Sequence, residues 1–221
     1  MSDVPIGVIF DMDGVLVDSA AAHFQSWQTL ARHRGIEITR RQFDRTFGMR
    51  SSEIISLLFG VTEPDEARKL DHEKEAIYRD LIRGRVPEMP GAVQLVRGLH
   101  AAGLRIAIGS SGPPANVDLV CEELSIKPFV DVIVTGMDVQ RGKPDPQVFQ
   151  IAAKRMSLAP PRCLVVEDAP AGIEAARRAE MHCIALAGSH DVTALTSAGA
   201  DIVVRTLSEI SSSLIRGIVS G

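Results

Sequence analysis

Short unbroken apolar runs alternate along this chain with helix-sized segments. VPIGVIF (4–10), LRIAIG (104–109), DVIVTG (131–136), CLVVED (163–168) and HCIALAG (182–188) are runs of the first kind, and DIVV (201–204) is a shorter sixth. Each is bounded by glycine or polar residues, which predicts strands buried on both faces, as in a parallel sheet. The segments between them, 91–102, 114–124, 146–157, 170–179 and 192–198, are predicted helices, with 206–217 as the last. Pro90-Gly91, Pro113-Pro114 and Pro144-Asp145-Pro146 fall at helix starts, where proline is tolerated. Strand and helix in alternation imply right-handed crossovers and a doubly wound α/β sheet.

Residues 19 to about 86 break that pattern, because no strand-like run occurs there. SAAAHFQSWQTLARHRG reads as a helix ending at Gly35. Thr39 can cap a short helix through about Phe47, and Ser51 or Ser52 another through Leu58. Thr62-x-x-Asp65 resembles the start of a long helix running to about Arg83. The expected organisation is a core domain of residues 1–18 and 87–221, with an all-helical domain of residues 19–86 inserted after the first strand.

Composition narrows the function classes. The 221 residues carry 24 basic and 28 acidic side chains, a net charge of −4, so the basic excess expected of a nucleic-acid partner is missing. No apolar run approaches the ~20 residues that cross a bilayer. The N-terminal MSDVPIG lacks the basic flank and long apolar segment of a signal peptide. Cys121, Cys163 and Cys183 are odd in number and far apart, which suggests reduced, mostly buried thiols rather than disulfides or a metal site. A cytoplasmic protein without membrane attachment is expected. With no exposed apolar stripe, a monomer is expected too.

In open parallel sheets, ligands bind outside the carboxyl ends of the strands. After VIF come Asp11, Asp13 and Gly14; after IAIG come Ser110, Ser111 and Gly112. Gly142, Lys143, Pro144 and Asp145 follow IVTG, and Glu167 and Asp168 follow LVV. Each cluster alone reads as a turn, a helix cap or a loop. Four in order, each at a strand end, form a complementary set. Carboxylates can hold a hard divalent cation such as Mg²⁺, while hydroxyls, backbone amides and a lysine can hold a phosphate. Asp11, Asp13, Glu167 and Asp168 are the candidate metal residues, with Asp13 offering its backbone carbonyl and Glu167 ligating or orienting water.

At these residues the chain resembles the haloacid dehalogenase-like superfamily, in particular its phosphatase and β-phosphoglucomutase branch, over nearly the whole length. DMDGVLVDS is similar to the family's first signature, IAIGSSG to the second, GKPDP to the third and VVEDAPAGI to the fourth. The resemblance implies a Rossmann-like core with a helical cap, and aspartyl-phosphate chemistry that uses Mg²⁺. It makes Asp11 the nucleophile, Asp13 the general acid and base, Ser110 a phosphate ligand, and Lys143 a partner for phosphoryl charge. An acid at position 13 also argues against carbon–halogen cleavage, which needs no proton donated to an alkoxide.

Substrate choice is expected of the cap. The candidates are His23, Gly48, Arg50 and Lys74, with Ser111 on the core side. Gly48 allows a close-approach turn, and Arg50 can fork onto an anionic group. Trp27, four residues from His23 on one helix face, is expected to pack. Lys74 lies in DHEKEAIYRD, whose default reading is a solvated face. The expected activity is a phosphatase acting on a small phosphorylated metabolite such as a sugar phosphate. The alternative is a β-phosphoglucomutase-type phosphosugar mutase. The resemblance gives that enzyme a lysine-asparagine pair where this chain has Gly112-Pro113-Pro114, and a cap arginine one position later than Arg50. A catalytically silent phospho-sugar sensor on the same scaffold would lack Asp11 or Asp13, and both are present.

Overall fold

A computed structural model describes residues 5–46 and 51–221. The sheet has six strands: β1 (Gly7–Phe10), β2 (Arg105–Gly109), β3 (Val132–Val134), β4 (Cys163–Glu167), β5 (His182–Leu186) and β6 (Ile202–Val204). Every pairing is parallel, in the order β3-β2-β1-β4-β5-β6. The order reverses at β1, which lies between β2 and β4. Each strand is shorter than the apolar run that contains it. The chain divides into two compact units, residues 1–18 with 86–221 and residues 19–85.

Among the described residues, four helices form the inserted unit: α1 (Ala20–Arg32), α2 (Arg40–Asp44), α3 (Ser51–Phe59) and α4 (Pro64–Ile82). Their apolar stripes meet in one small core of Trp27, Leu30, Phe43, Ile55 and Leu70, so Trp27 packs as its spacing predicts. Thr39 caps α2 and exchanges hydrogen bonds with Gln42. Two expected caps are corrected. Helix α3 already includes Ser51, so Ser52 lies inside it. Glu63, not Thr62, stands at the N-cap position of α4 without a side-chain capping bond, and Pro64 is the first helical residue, where its fixed φ suits a helix start.

Six further helices flank the sheet: α5 (Ala92–Ala101), α6 (Pro114–Glu123), α7 (Gln147–Arg155), α8 (Pro170–Arg178), α9 (Val192–Ser197) and α10 (Ser212–Ser220). Val165, Ile9 and Ala107 pack against Phe149 of α7 and Ala176 of α8 in one apolar layer. The expected helix 206–217 divides. Thr206 and Glu209 close a separate 3₁₀ turn, and Ser211 caps α10 by accepting from the Leu214 N–H. All three cysteines are buried and free. Among the described residues no helix is long and apolar enough to cross a membrane.

Candidate active site

Phe10 pairs with Ile108 on one side and with Val166 on the other. The loops leaving β2, β1 and β4 therefore emerge side by side at one edge of the sheet. The Asp11 N–H donates to the Val166 carbonyl at 2.9 Å, which fixes Asp11 beside β4. The chain then folds back on itself. Leu16 and Val17 N–H groups converge on the Met12 carbonyl at 2.9 and 3.0 Å, and the Gly14 N–H donates to Val17. Gly14 has φ of +84°, and a Cβ built there would overlap the Asp168 carboxylate. Only glycine satisfies both the backbone conformation and the close approach.

Asp11, Glu167 and Asp168 are buried, and each brings a carboxylate oxygen within 4.8 Å of the others. Lys143 reaches them from the loop beyond β3. Its Nζ donates to Asp11 Oδ1 at 2.5 Å and to Glu167 Oε1 at 2.7 Å. Glu167 Oε2 accepts from the N–H groups of Asp168 and Ala169 at 2.8 and 2.9 Å. Helix α8 comes close to this carboxylate through Gly172, where a Cβ would overlap it. Asp13 is half-buried and lies outside the three-carboxylate group, bridged to Val17 through the backbone. Ser110 is buried and its Oγ accepts from the Gly112 N–H at 3.0 Å, while Ser111 is exposed.

The charges do not balance, with three buried carboxylates facing one ammonium. Burial pushes the Asp11 carboxyl well above its ordinary value; Lys143 pulls it back, and Glu167, Asp168 and Asp13 raise it further. Asp168 is pushed up to about 7 by burial and then by Glu167, against the Ser189 hydroxyl and Lys143. Burial opposes the charge on Lys143, but Asp11 and Glu167 outweigh it and raise its pKa. An all-oxygen donor set with surplus negative charge, cradled by the Cβ-free backbone of Gly14, suits a hard divalent cation.

The expected substrate residues of the inserted unit divide in two. Gly48 and Arg50 lie outside the described residues. His23 and Lys74 meet inside the helical unit: Lys74 Nζ lies 2.8 Å from His23 Nδ1 and donates to Glu75 Oε1 at 2.7 Å. The His23 ring stacks on Tyr78 with centroids 4.1 Å apart. Lys74 is buried, which corrects the solvated-face reading. Its charge is held by Glu75 and by the Trp27 and Tyr78 ring faces, 5.3 and 5.5 Å away.

Two residues outside the four strand-end clusters join this site, Ser189 and His190. Ser189 Oγ donates to Asp168 Oδ2 and lies 3.3 Å from the Asp168 carbonyl. His190 Nδ1 is 3.2 Å from both Ser189 Oγ and that carbonyl. They come just after β5, a strand end of the same kind as the four that the sequence singled out.

A sequence model described as haloacid dehalogenase-like hydrolase matches residues 7–180. Hexitol phosphatase A of Escherichia coli (strain K12) is 34% identical over 210 residues, covering 92% of this chain and 92% of that protein. Beta-phosphoglucomutase of Bacillus subtilis (strain 168) is 32% identical over 216 residues, covering 94% and 92%. The crystal structure of a HAD hydrolase, family IA, variant 3, from Entamoeba histolytica HM-1:IMSS has the same fold. Its TM-score is 0.90 at 23% identity, over 98% of this chain and 100% of that one. The chain belongs to the haloacid dehalogenase-like hydrolase family. Within it, the chain is an enzyme of the phosphomonoester hydrolase and β-phosphoglucomutase branch, built as a parallel α/β core with an inserted helical cap.

Proposed function

We propose that the protein is a Mg²⁺-dependent phosphatase that hydrolyses a small phosphorylated metabolite, of the sugar phosphate kind, through an aspartyl-phosphate on Asp11. The observation that carries this reading is the buried Asp11 carboxylate at the tip of β1, held by Lys143 at 2.5 Å beside Glu167 and Asp168.

Phosphoryl transfer asks a protein for position and charge compensation. Asp11 attacks phosphorus in line with the ester oxygen, the P–O ester bond breaks, and the electron pair leaves with the alkoxide. Asp13 gives that oxygen its proton. Water then attacks the phosphorus of the aspartyl-phosphate and passes a proton to Asp13. The bond to Asp11 breaks, restoring its carboxylate and releasing inorganic phosphate. One acid serves both half-reactions because the second returns what the first spent. Lys143 aims Asp11 and answers charge on the phosphoryl oxygens together with Ser110. Asp11 and Asp168 would hold Mg²⁺ with the Asp13 carbonyl, while Glu167, already bonded three times, orients Lys143 and the turn after β4. Bound Mg²⁺ supplies positive charge that lets an anionic ester approach an anionic nucleophile.

The Bacillus relative keeps a mutase reading in view. Against it, α6 opens with Pro113 as cap and Pro114 as first residue, where the mutase resemblance expects lysine and asparagine. Two prolines offer no cation and no backbone donor to a second phosphate. The test is a panel of phosphorylated metabolites that includes β-glucose 1-phosphate, scored for phosphate release and for isomerisation to the 6-phosphate. Mg²⁺-dependent release that is lost in Asp11→Asn is expected. Isomerisation outrunning release would favour the mutase.

A further inference from the structure

We propose that Ser189, at the carboxyl end of β5, is a positioning residue that holds the Asp168 carboxylate in its metal-ligating orientation. This role rests on the metal reading of Asp11 and Asp168, and adds to it a residue that the metal site depends on without being touched by it.

Each of the three buried carboxylates is held differently. Lys143 holds Asp11, and Lys143 with two backbone amides holds Glu167. Asp168 is held by Ser189, whose hydroxyl donates to Oδ2. That bond acts against a standing force. Glu167 and Asp11 repel Asp168 at close range, and in a poorly solvated site such repulsion is strong. A free aspartate would turn about χ1 and χ2 to relax it. Gly14 leaves room on one side of the carboxylate, and the Ser189 hydroxyl fixes it from another. With Oδ2 engaged by Ser189, Oδ1 keeps its lone pairs for a cation.

Sheet register brings the hydroxyl there. Strands β4 and β5 are adjacent, with Glu167 opposite Ala185, so the turn after β5 comes level with the turn after β4. The Gly188 N–H donates to the His190 carbonyl at 3.4 Å, and the contacts of Ser189 and His190 with the Asp168 carbonyl tie the two turns together. Ser189 is itself exposed. A side chain that fills no core and yet bonds a buried carboxylate is there for its hydroxyl. Residues behind metal ligands have this character, and their loss typically weakens metal affinity by about 10- to 100-fold.

The experiment measures Mg²⁺ binding to the full chain by titration calorimetry, without substrate, for the wild type, Ser189→Ala, Ser189→Thr and Asp168→Asn. Thermal unfolding of the metal-free proteins runs in parallel. Ser189→Ala is expected to bind Mg²⁺ about 10-fold more weakly or worse, at an unfolding temperature close to that of the wild type. Ser189→Thr, which keeps the hydroxyl, recovers most of the affinity. Wild-type affinity in Ser189→Ala, with binding lost in Asp168→Asn, overturns the role of Ser189 and leaves the metal site standing. Equal weakening in the alanine and threonine variants overturns it as well, because the hydroxyl is then not the cause. Absence of Mg²⁺ binding in the wild type overturns the metal reading and this inference with it.

Discussion

Lys143 places one positive charge between two buried acids, 2.5 Å from Asp11 and 2.7 Å from Glu167. Its replacement by methionine keeps the bulk and strands both carboxylates. Breaking a buried pair from one side typically costs about 3–5 kcal/mol, and the acids can escape part of that only by taking up protons. A protonated Asp11 is no nucleophile. Lys143→Met is therefore expected to lower kcat by about 100-fold or more and to reduce the urea midpoint. Lys143→Arg should not restore activity, since a planar fork cannot take the place of a compact ammonium between two fixed oxygens. Steady-state kinetics and urea unfolding on the same preparations check both. Full activity in either variant contradicts the placement of Lys143 at the reacting centre.

Between β3 and α7 a second ion pair shapes the loop that carries Lys143. Asp138 Oδ2 accepts from the N–H and hydroxyl of Thr135 at 2.8 and 2.9 Å, closing the turn after β3. Arg155 of α7 donates to Asp138 Oδ1 at 2.6 Å and to the Ile133 carbonyl at 2.9 Å. The loop from 139 to 146 thus leaves and returns through elements pinned to each other. Arg155, and then the Thr135 N–H, hold the Asp138 carboxyl below the ordinary carboxylate range. A carboxyl depressed by folding stabilises the native state above its unfolded pKa, and that contribution disappears as pH falls through the folded value. Asp138→Asn is therefore expected to be less stable than the wild type near neutral pH, with the gap narrowing below about pH 4. Urea titrations at several pH values test this. A gap that widens on acidification would contradict the assigned direction.

At the scale of the molecule, the chain divides its work between a parallel core that carries the acids and Lys143, and a helical insert with its own small core. The strand ends were legible because a buried parallel strand leaves an unbroken apolar run, and the polar residues that stop it are the ones that emerge at the sheet edge. Ser189 follows HCIALAG in the same way. At Lys74 charge and spacing point opposite ways, and the spacing prevails. Leu70, Lys74, Tyr78 and Ile82 form one buried helical stripe on α4, and the lysine sits on it with Glu75 and two aromatic rings as partners. The break near Ser211 was hidden because two successive caps, at Thr206 and Ser211, serve two short elements in a stretch that reads as one helix.

Covalent chemistry at position 11 is the claim on which the rest depends. The measurement that reaches it directly is borohydride trapping during turnover of a generic phosphomonoester with Mg²⁺, with mass spectrometry of the peptide that contains FDMDGVLVDS. An aspartyl-phosphate is reduced to homoserine, so homoserine at position 11, dependent on substrate and missing without it, is the predicted result. Steady phosphate release with Asp11 unmodified, or with the modification at Asp13 or Asp168 instead, would contradict it.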